Sequence, residues 1–253
     1  MHKINKILRS NYTGEDVNIV GTLKESAWTY QTEFIDNPFK NGPMANYAVV
    51  VGNGSSRLGF DLTYIMDYVN HPKDQTWKKA RTSKRFFTYG CNALYRDFAP
   101  DFLIVTGDQM IREVVMSPYT NDHIAYANNS AVMEWQGRFH VIPQDPPWNS
   151  GTLAAYMAAF DGHKKIFLLG FDNNDTTGRN YNVYADTPCY PHVEHSVIEN
   201  FWIESMSILM TTYPEVEFIR VAPNNNFITP ETWKYFVNFR TIDFNRFRLE
   251  ADL

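Results

Sequence analysis

Residues 143–172 read PQDPPWNSGTLAAYMAAFDGHKKIFLLGFD and set out a loop, a helix, a strand and a second loop in that order. Pro143, Pro146 and Pro147 end whatever precedes them, because a proline disfavours helical geometry in the residue before it. Asn149-Ser150-Gly151-Thr152 then opens an alanine-rich apolar run, Leu153 to Phe160, made of good helix formers. Asp161-Gly162 stops it. Ile166-Phe167-Leu168-Leu169 follows as a short, wholly apolar strand ending at Gly170, and a polar loop begins at Asp172. A helix that opens on small residues presents backbone N–H groups and the positive end of its dipole, a seat for phosphate. Loops just past the carboxyl ends of parallel strands are where open α/β sheets bind ligands. The stretch reads as half of a nucleotide site.

Upstream, Tyr47-Ala48-Val49-Val50-Val51 runs straight into Gly52-Asn53-Gly54-Ser55-Ser56. A β-branched run without alternation predicts a strand buried on both faces. The glycines let the chain turn sharply and allow close approach of a ligand, although the same turn without a ligand reads equally well. Leu58, Leu62, Ile65 and Met66 then recur at helical spacing. Further strands are predicted at Arg85–Tyr89, Phe102–Val105 and Phe139–Ile142, with a helix over 109–117 and a weaker βα step near Tyr126–Ser130. Beyond Asp172, residues 173–196 form a polar loop long enough to be a lid. Val197 to Leu209 reads as a helix with Val197, Phe201, Ile208 and Ile203-Met206 facing inward, and Val216–Val221 as a last strand. Strand, polar loop and helix in repetition predict an α/β, Rossmann-like doubly wound fold with a mostly parallel sheet and helices on both faces. The expected organisation is a peripheral lead-in over 1–46, an α/β domain over 47–230 that includes the lid, and an aromatic and basic tail over 231–253 that packs on the fold or on a neighbouring subunit.

A chain of 253 residues is long enough for one large domain or for one domain with a small appendage, and with 44% hydrophobic and 20% charged residues it is expected to be globular rather than disordered. A net charge of −5 argues against a wholesale nucleic-acid binder, though Lys73, Lys78, Lys79, Arg81, Lys84 and Arg85 cluster locally. No apolar run approaches the roughly 18–20 residues that span a bilayer, and MHKINKILRSNYTGED has no apolar core of a signal peptide. Cys91 and Cys189 give no disulfide framework. The expected setting is the cytoplasm, with peripheral membrane contact through the tail left open. Cys189, His192 and His195 fall one ligand short of a structural zinc site, for which Asp186 would be a strained fourth choice.

Four segments in order, Val51-Gly52-Asn53-Gly54-Ser55-Ser56, Cys91-Asn92-Ala93-Leu94-Tyr95, Asn149-Ser150-Gly151 with Gly170-Phe171-Asp172, and Glu194-His195-Ser196, together resemble glycosyltransferase family 42, the bacterial lipooligosaccharide sialyltransferases. The resemblance spans about residues 47–225. It implies a GT-A-like variant of the doubly wound fold and a metal-independent, inverting transferase using a CMP-linked sugar, with no further cofactor. It implies that Asn53 and Asn92, with Gly54 and Ser55 of the same turn, contact the donor's phosphate and sugar. Ser150, Gly151 and Thr152 would hold donor polar groups, Gly170 and Asp172 would face the nucleoside, and His195 would be the general base. Two departures are visible: the proline of the family's G-N-G-P-S turn is Ser55 here, and Asn174 stands where a phosphate-directed tyrosine is expected. Tyr181 or Tyr184 would carry that work.

The chemistry agrees with these residue types. Inverting transfer needs a base at the acceptor hydroxyl, and the ordinary histidine pKa of about 6.5 suits it. Helix N–H groups, asparagine amides and a tyrosine hydroxyl suit the departing phosphate. The expected partners are a nucleotide sugar and a glycan acceptor, with DNA as acceptor and homo-oligomer formation open. Two other functions remain open. Pro100-Asp101 followed by Gly107-Asp108 is similar to the P-D…G-D pattern of magnesium-dependent thiamine and hydroxymethylpterin pyrophosphokinases, with Gln109-Met110 where a second acid would follow. The other is a non-catalytic nucleotide-sugar binder on the same fold.

Overall fold

A computed structural model describes residues 3–4, 7–8, 16–17, 19–24, 27–32, 47–66, 86–172, 182–190, 199–223 and 229–253. The first strands are short and antiparallel: β1 (Lys3–Ile4), β4 (Ile19–Lys24) and β5 (Ala27–Thr32) form one sheet, and β2 (Ile7–Leu8) and β3 (Asp16–Val17) another. The lead-in over 1–46 thus contains two small sheets that the sequence left unassigned.

The body is an eight-stranded sheet in the order β10-β9-β8-β7-β6-β11-β12-β13, and every pairing in it is parallel. Its strands are β6 (Tyr47–Val51), β7 (Phe86–Cys91), β8 (Phe102–Ile104), β9 (Ala125–Ala127), β10 (His140–Val141), β11 (Lys165–Leu169), β12 (Glu217–Val221) and β13 (Phe239–Ile242). The helices are α1 (Asp108–Met116), α2 (Tyr119–Asp122), α3 (Asn129–Glu134), α4 (Ser150–Phe160), α5 (Glu199–Thr212) and α6 (Phe244–Ala251). Ala48, Val50, Tyr89, Ile166 and Leu168 face α4 and α5, while Val49, Val51, Phe167, Leu169 and Ile219 face α6. Leu103, Val105, Ala125 and Ala127 pack with α1 and α3. Helices on both faces of a parallel sheet make the fold doubly wound, and burial on both sides is why β6 has no polar residue. Each fully buried Val, Leu or Ile contributes about 1.5–3 kcal/mol.

Helix α4 is apolar all round because it is covered all round, lying across β6, β7, β8 and β11 and beneath α5. Asn149 caps it, its Oδ1 accepting the Thr152 N–H at 2.9 Å.

Three expectations need correction. Leu58, Leu62, Ile65 and Met66 do not share one α-helix; two 3-10 turns, Ser55–Gly59 and Leu62–Ile65, stand there, and Leu58 is exposed. Asp61 accepts the Thr63 N–H and starts a new turn, so the helical pattern breaks at Phe60. Phe201 and Ile208 lie on the outer side of α5, whereas Ser205, Met206, Leu209 and Met210 are buried. Val216–Val221 contains β12 but not the last strand. Residues 231–253 supply β13 and α6, fixed by Arg240, which bridges Glu217 and Glu250, and by the Tyr47 hydroxyl, which donates to the Ala251 carbonyl. The half-exposed edge strand Phe-Arg-Thr-Ile has too little apolar pattern to be read from sequence. Of the 173–196 lid, residues 182–190 are described, and of Val197–Leu209 the part from 199 onward.

Candidate functional site

In chain order the large sheet runs outward from β6 to β10 on one side, and then from β11 to β13 on the other. β6 and β11 are therefore the neighbours at which the winding reverses, the place where open α/β sheets form a ligand crevice. Val51 pairs with Leu169 there, and Gly90 of β7 flanks Val51 on the other side. The turns that leave these strands are the ones singled out in the sequence.

Two of those turns grip each other. The Gly52 N–H donates to the Leu169 carbonyl at 2.7 Å, and the Gly54 N–H to the Gly170 carbonyl at 3.0 Å. Gly170 has φ +68, and a Cβ there would lie 2.7 Å from the Gly52 carbonyl oxygen. A Cβ on Gly54 would lie 2.5 Å from Asp172 Oδ2. These glycines are needed for the two loops to approach, whatever ligand lies above them.

Asp172, 7% exposed, joins the same contact: its Oδ2 accepts the Ser56 N–H at 2.8 Å and lies 3.5 Å from Ser55 Oγ. Burial pushes its pKa above the ordinary carboxylate value, against the hydrogen bonds from Ser56 and the charge of Arg220, which favour the anion. Asp172 Oδ1 is buried and has no hydrogen-bond partner among the described residues. The aspartate thus fixes the Gly-rich turn with one oxygen and keeps the other in reserve.

Asn92 ends β7 in the left-handed region, φ 49, and its Oδ1 accepts the Thr106 N–H at 2.9 Å. That bond ties the ends of β7 and β8 and leaves its amide N–H groups as donors. Asn53 Nδ2 donates to the Tyr190 hydroxyl at 3.3 Å, and burial pushes the pKa of that hydroxyl up to about 12 against Asn92, Asn53 and Ala93, which favour its ionised form. Ser150, at the start of α4, bears on the buried Cys91 thiol, whose pKa burial pushes up to about 11. β7, β6 and β11 are neighbours, and a Cβ on Gly151 would lie 3.8 Å from the Phe171 ring, so the ends of these strands and the start of α4 meet at one edge. Thr152 is fully buried, its N–H and Oγ1 engaged by Asn149, so the N–H groups without an intrahelical acceptor are those of Ser150 and Gly151.

Tyr184 is placed differently from Asn53 and Asn92. Its hydroxyl donates to Asp97 Oδ2 at 2.7 Å and accepts from Arg57 Nη2 at 3.0 Å. Burial, followed by the hydrogen bond to Asp97, raises its pKa. Tyr181 and His195 lie outside the described residues, as do His192 and the 73–85 basic cluster.

Arg57, Arg220 and Tyr190 escaped the sequence reading. Arg57 is 5% exposed and follows the Gly-rich turn directly; Arg220 is fully buried within an otherwise apolar stretch of β12. An arginine inside a strand of that kind is the signal that could have found Arg220, since buried charges are held by partners. Tyr190 had no such signal, because its contact with Asn53 spans 137 residues of chain.

Asp101 accepts the Thr88 N–H at 2.8 Å and the Thr88 hydroxyl at 2.9 Å, which ties it into the β7–β8 connection. Among the described residues no three His, Cys, Asp or Glu side chains gather as a metal site would need, and no helix is long and apolar enough to cross a membrane.

No protein-family model matches this chain, and none of the curated proteins matches it in sequence. Among solved structures it is similar to the monofunctional α-2,3-sialyltransferase Cst-I of Campylobacter jejuni, with 12% identity over 76% of this chain and 79% of that one and a TM-score of 0.44. An α-2,3-sialyltransferase of Campylobacter jejuni in apo form gives 13% identity over 87% and 100%, with a TM-score of 0.41. The sialyltransferase CstII of Campylobacter jejuni, in complex with cytidine-5'-monophosphate, gives 15% identity over 78% and 88%, with a TM-score of 0.40.

Proposed function

We propose that this protein is a sialyltransferase-like glycosyltransferase that takes a sugar from a CMP-linked donor and passes it, with inversion, to a glycan hydroxyl. One observation carries this. Segments that resemble the family 42 donor motifs, around Asn53, Asn92, Ser150 and Asp172, lie far apart in the chain and come together at neighbouring strand ends beside the reversal of the sheet.

In this reading Asn53, Asn92 and the N–H groups of Ser150 and Gly151 surround the donor's phosphate. Gly54 and Ser55 shape the floor, and Gly170 and Asp172 face the nucleoside. Thr152 supports the helix start from below, and Tyr184 anchors the segment that borders the site. His195 takes the proton from the acceptor hydroxyl as its oxygen attacks the anomeric carbon, while the bond to the phosphate breaks and the nucleoside monophosphate leaves with the electron pair. Preset donors at that phosphate stabilise the developing charge without reorganisation, and Tyr181 is the remaining tyrosine for the leaving oxygen.

Thermal shift with CMP, UMP, AMP, GMP and their diphosphates, with magnesium or with EDTA, tests the donor class. Stabilisation by CMP that EDTA leaves unchanged is expected. Stabilisation by diphosphates that requires magnesium would replace the transferase with a pyrophosphokinase. His195→Ala should abolish transfer and leave CMP binding intact.

A further inference from the structure

Residues 182–190 are held on the carboxyl edge of the sheet at several points. Asn182 bridges Gly54, and the Val183 N–H donates to the Asn53 carbonyl at 2.8 Å. Next along, Tyr184 is seated between Arg57 and Asp97. Then the Arg96–Glu113 ion pair, 2.6 Å apart, takes over: Arg96 donates to Thr187 Oγ1 at 2.8 Å and to the Pro188 carbonyl at 3.0 Å, and Cys189 Sγ lies 3.3 Å from Glu113 Oε2. Thr187-Pro188-Cys189-Tyr190 is a β-turn, closed by the Tyr190 N–H on the Thr187 carbonyl at 2.9 Å. It delivers the Tyr190 hydroxyl to Asn53 Nδ2 at 3.3 Å.

The turn is a poised structure. Cys189, at φ +71, stands at the turn position that favours glycine, and Asp186 is also left-handed, so contacts with the body must offset both. What Tyr190 meets is poorly matched to it. Asn53 Nδ2 donates to its hydroxyl at 3.3 Å, and burial pushes the Tyr190 pKa up to about 12, against Asn92, Asn53 and Ala93, which favour the anion, so that oxygen stays neutral. An anionic oxygen would meet the same donors with charge-assisted hydrogen bonds, roughly twice as strong as neutral ones.

We propose that the 182–190 segment is a displaceable latch, in which the Tyr190 hydroxyl holds the place beside Asn53 and Asn92 that a ligand's phosphate oxygen takes, and the Arg96–Glu113 pair sets how firmly it is held. The latch rests on the nucleotide reading of the site and adds its regulation. Tyr190→Phe removes the competing oxygen and leaves the ring; Glu113→Gln weakens the pin on the turn.

Calorimetric titration with CMP and amide hydrogen exchange of the free protein, on the wild type and both variants, test it. Tyr190→Phe should bind CMP about fivefold more tightly, the equilibrium worth of one neutral hydrogen bond. Glu113→Gln should tighten CMP binding in the same direction and speed exchange at Val183 and Tyr190. CMP binding that is unchanged or weaker in Tyr190→Phe overturns the latch and makes Tyr190 a fixed wall of the site. If no variant binds CMP, the nucleotide reading falls, and titration with inorganic phosphate decides the latch: tighter binding by Tyr190→Phe than by the wild type sustains it, and equal, weaker or no binding overturns it.

Discussion

Asp172 Oδ2 accepts the backbone N–H of Ser56 at 2.8 Å across 116 residues of chain, joining the turn after β6 to the turn after β11. Removing that acceptor leaves a buried N–H unsatisfied. Asp172→Ala should lose about 1–3 kcal/mol in urea denaturation, and Asp172→Asn, which keeps an acceptor, should lose less. Its pKa is raised by burial, so the native state holds the proton more tightly than the unfolded chain. Its contribution therefore becomes more favourable as pH falls through the raised native value, and levels off below the ordinary carboxylate value. Asp172→Asn should remove that slope.

Gly170 meets the Gly52 and Gly54 carbonyls where a Cβ has no room, and its φ of +68 adds strain for any other residue. Gly170→Ala should cost at least about 2 kcal/mol in the same denaturation series. A cost near zero would mean that the two turns can separate freely.

Tyr184 gives its hydroxyl proton to Asp97 and receives a bond from the buried Arg57. Tyr184→Phe keeps the ring and strips both bonds, which should lower stability by about 1–3 kcal/mol, with the loss confined to the unfolding free energy rather than the m-value.

Glu250 accepts from Arg240 at 3.0 and 2.6 Å and from Arg246 at 2.7 Å, and these bonds lower its pKa from 4.5 to about 2. The stabilisation is present above the ordinary value and is lost as pH falls from there through about 2. Glu250→Gln should be less stable than the wild type near neutral pH and converge with it in acid, as urea midpoints across that range would report. The effect stays small, because Arg246 is largely exposed.

The sequence by itself marked the sheet's main strands and the doubly wound class, because strands buried on both faces are mostly apolar runs without alternation and each is followed by punctuation the chain cannot hide. It marked the glycine turns and the helix start at Asn149–Thr152 for the same reason, since those are local demands of backbone geometry. Tertiary structure alone decided the rest. The burial of Arg57, the seating of Tyr184 between Arg57 and Asp97, and the meeting of Tyr190 with Asn53 each depend on groups distant in the chain. Whether a polar side chain faces a ligand or props a loop depends on which partner folding brings to it, and no local pattern encodes that partner.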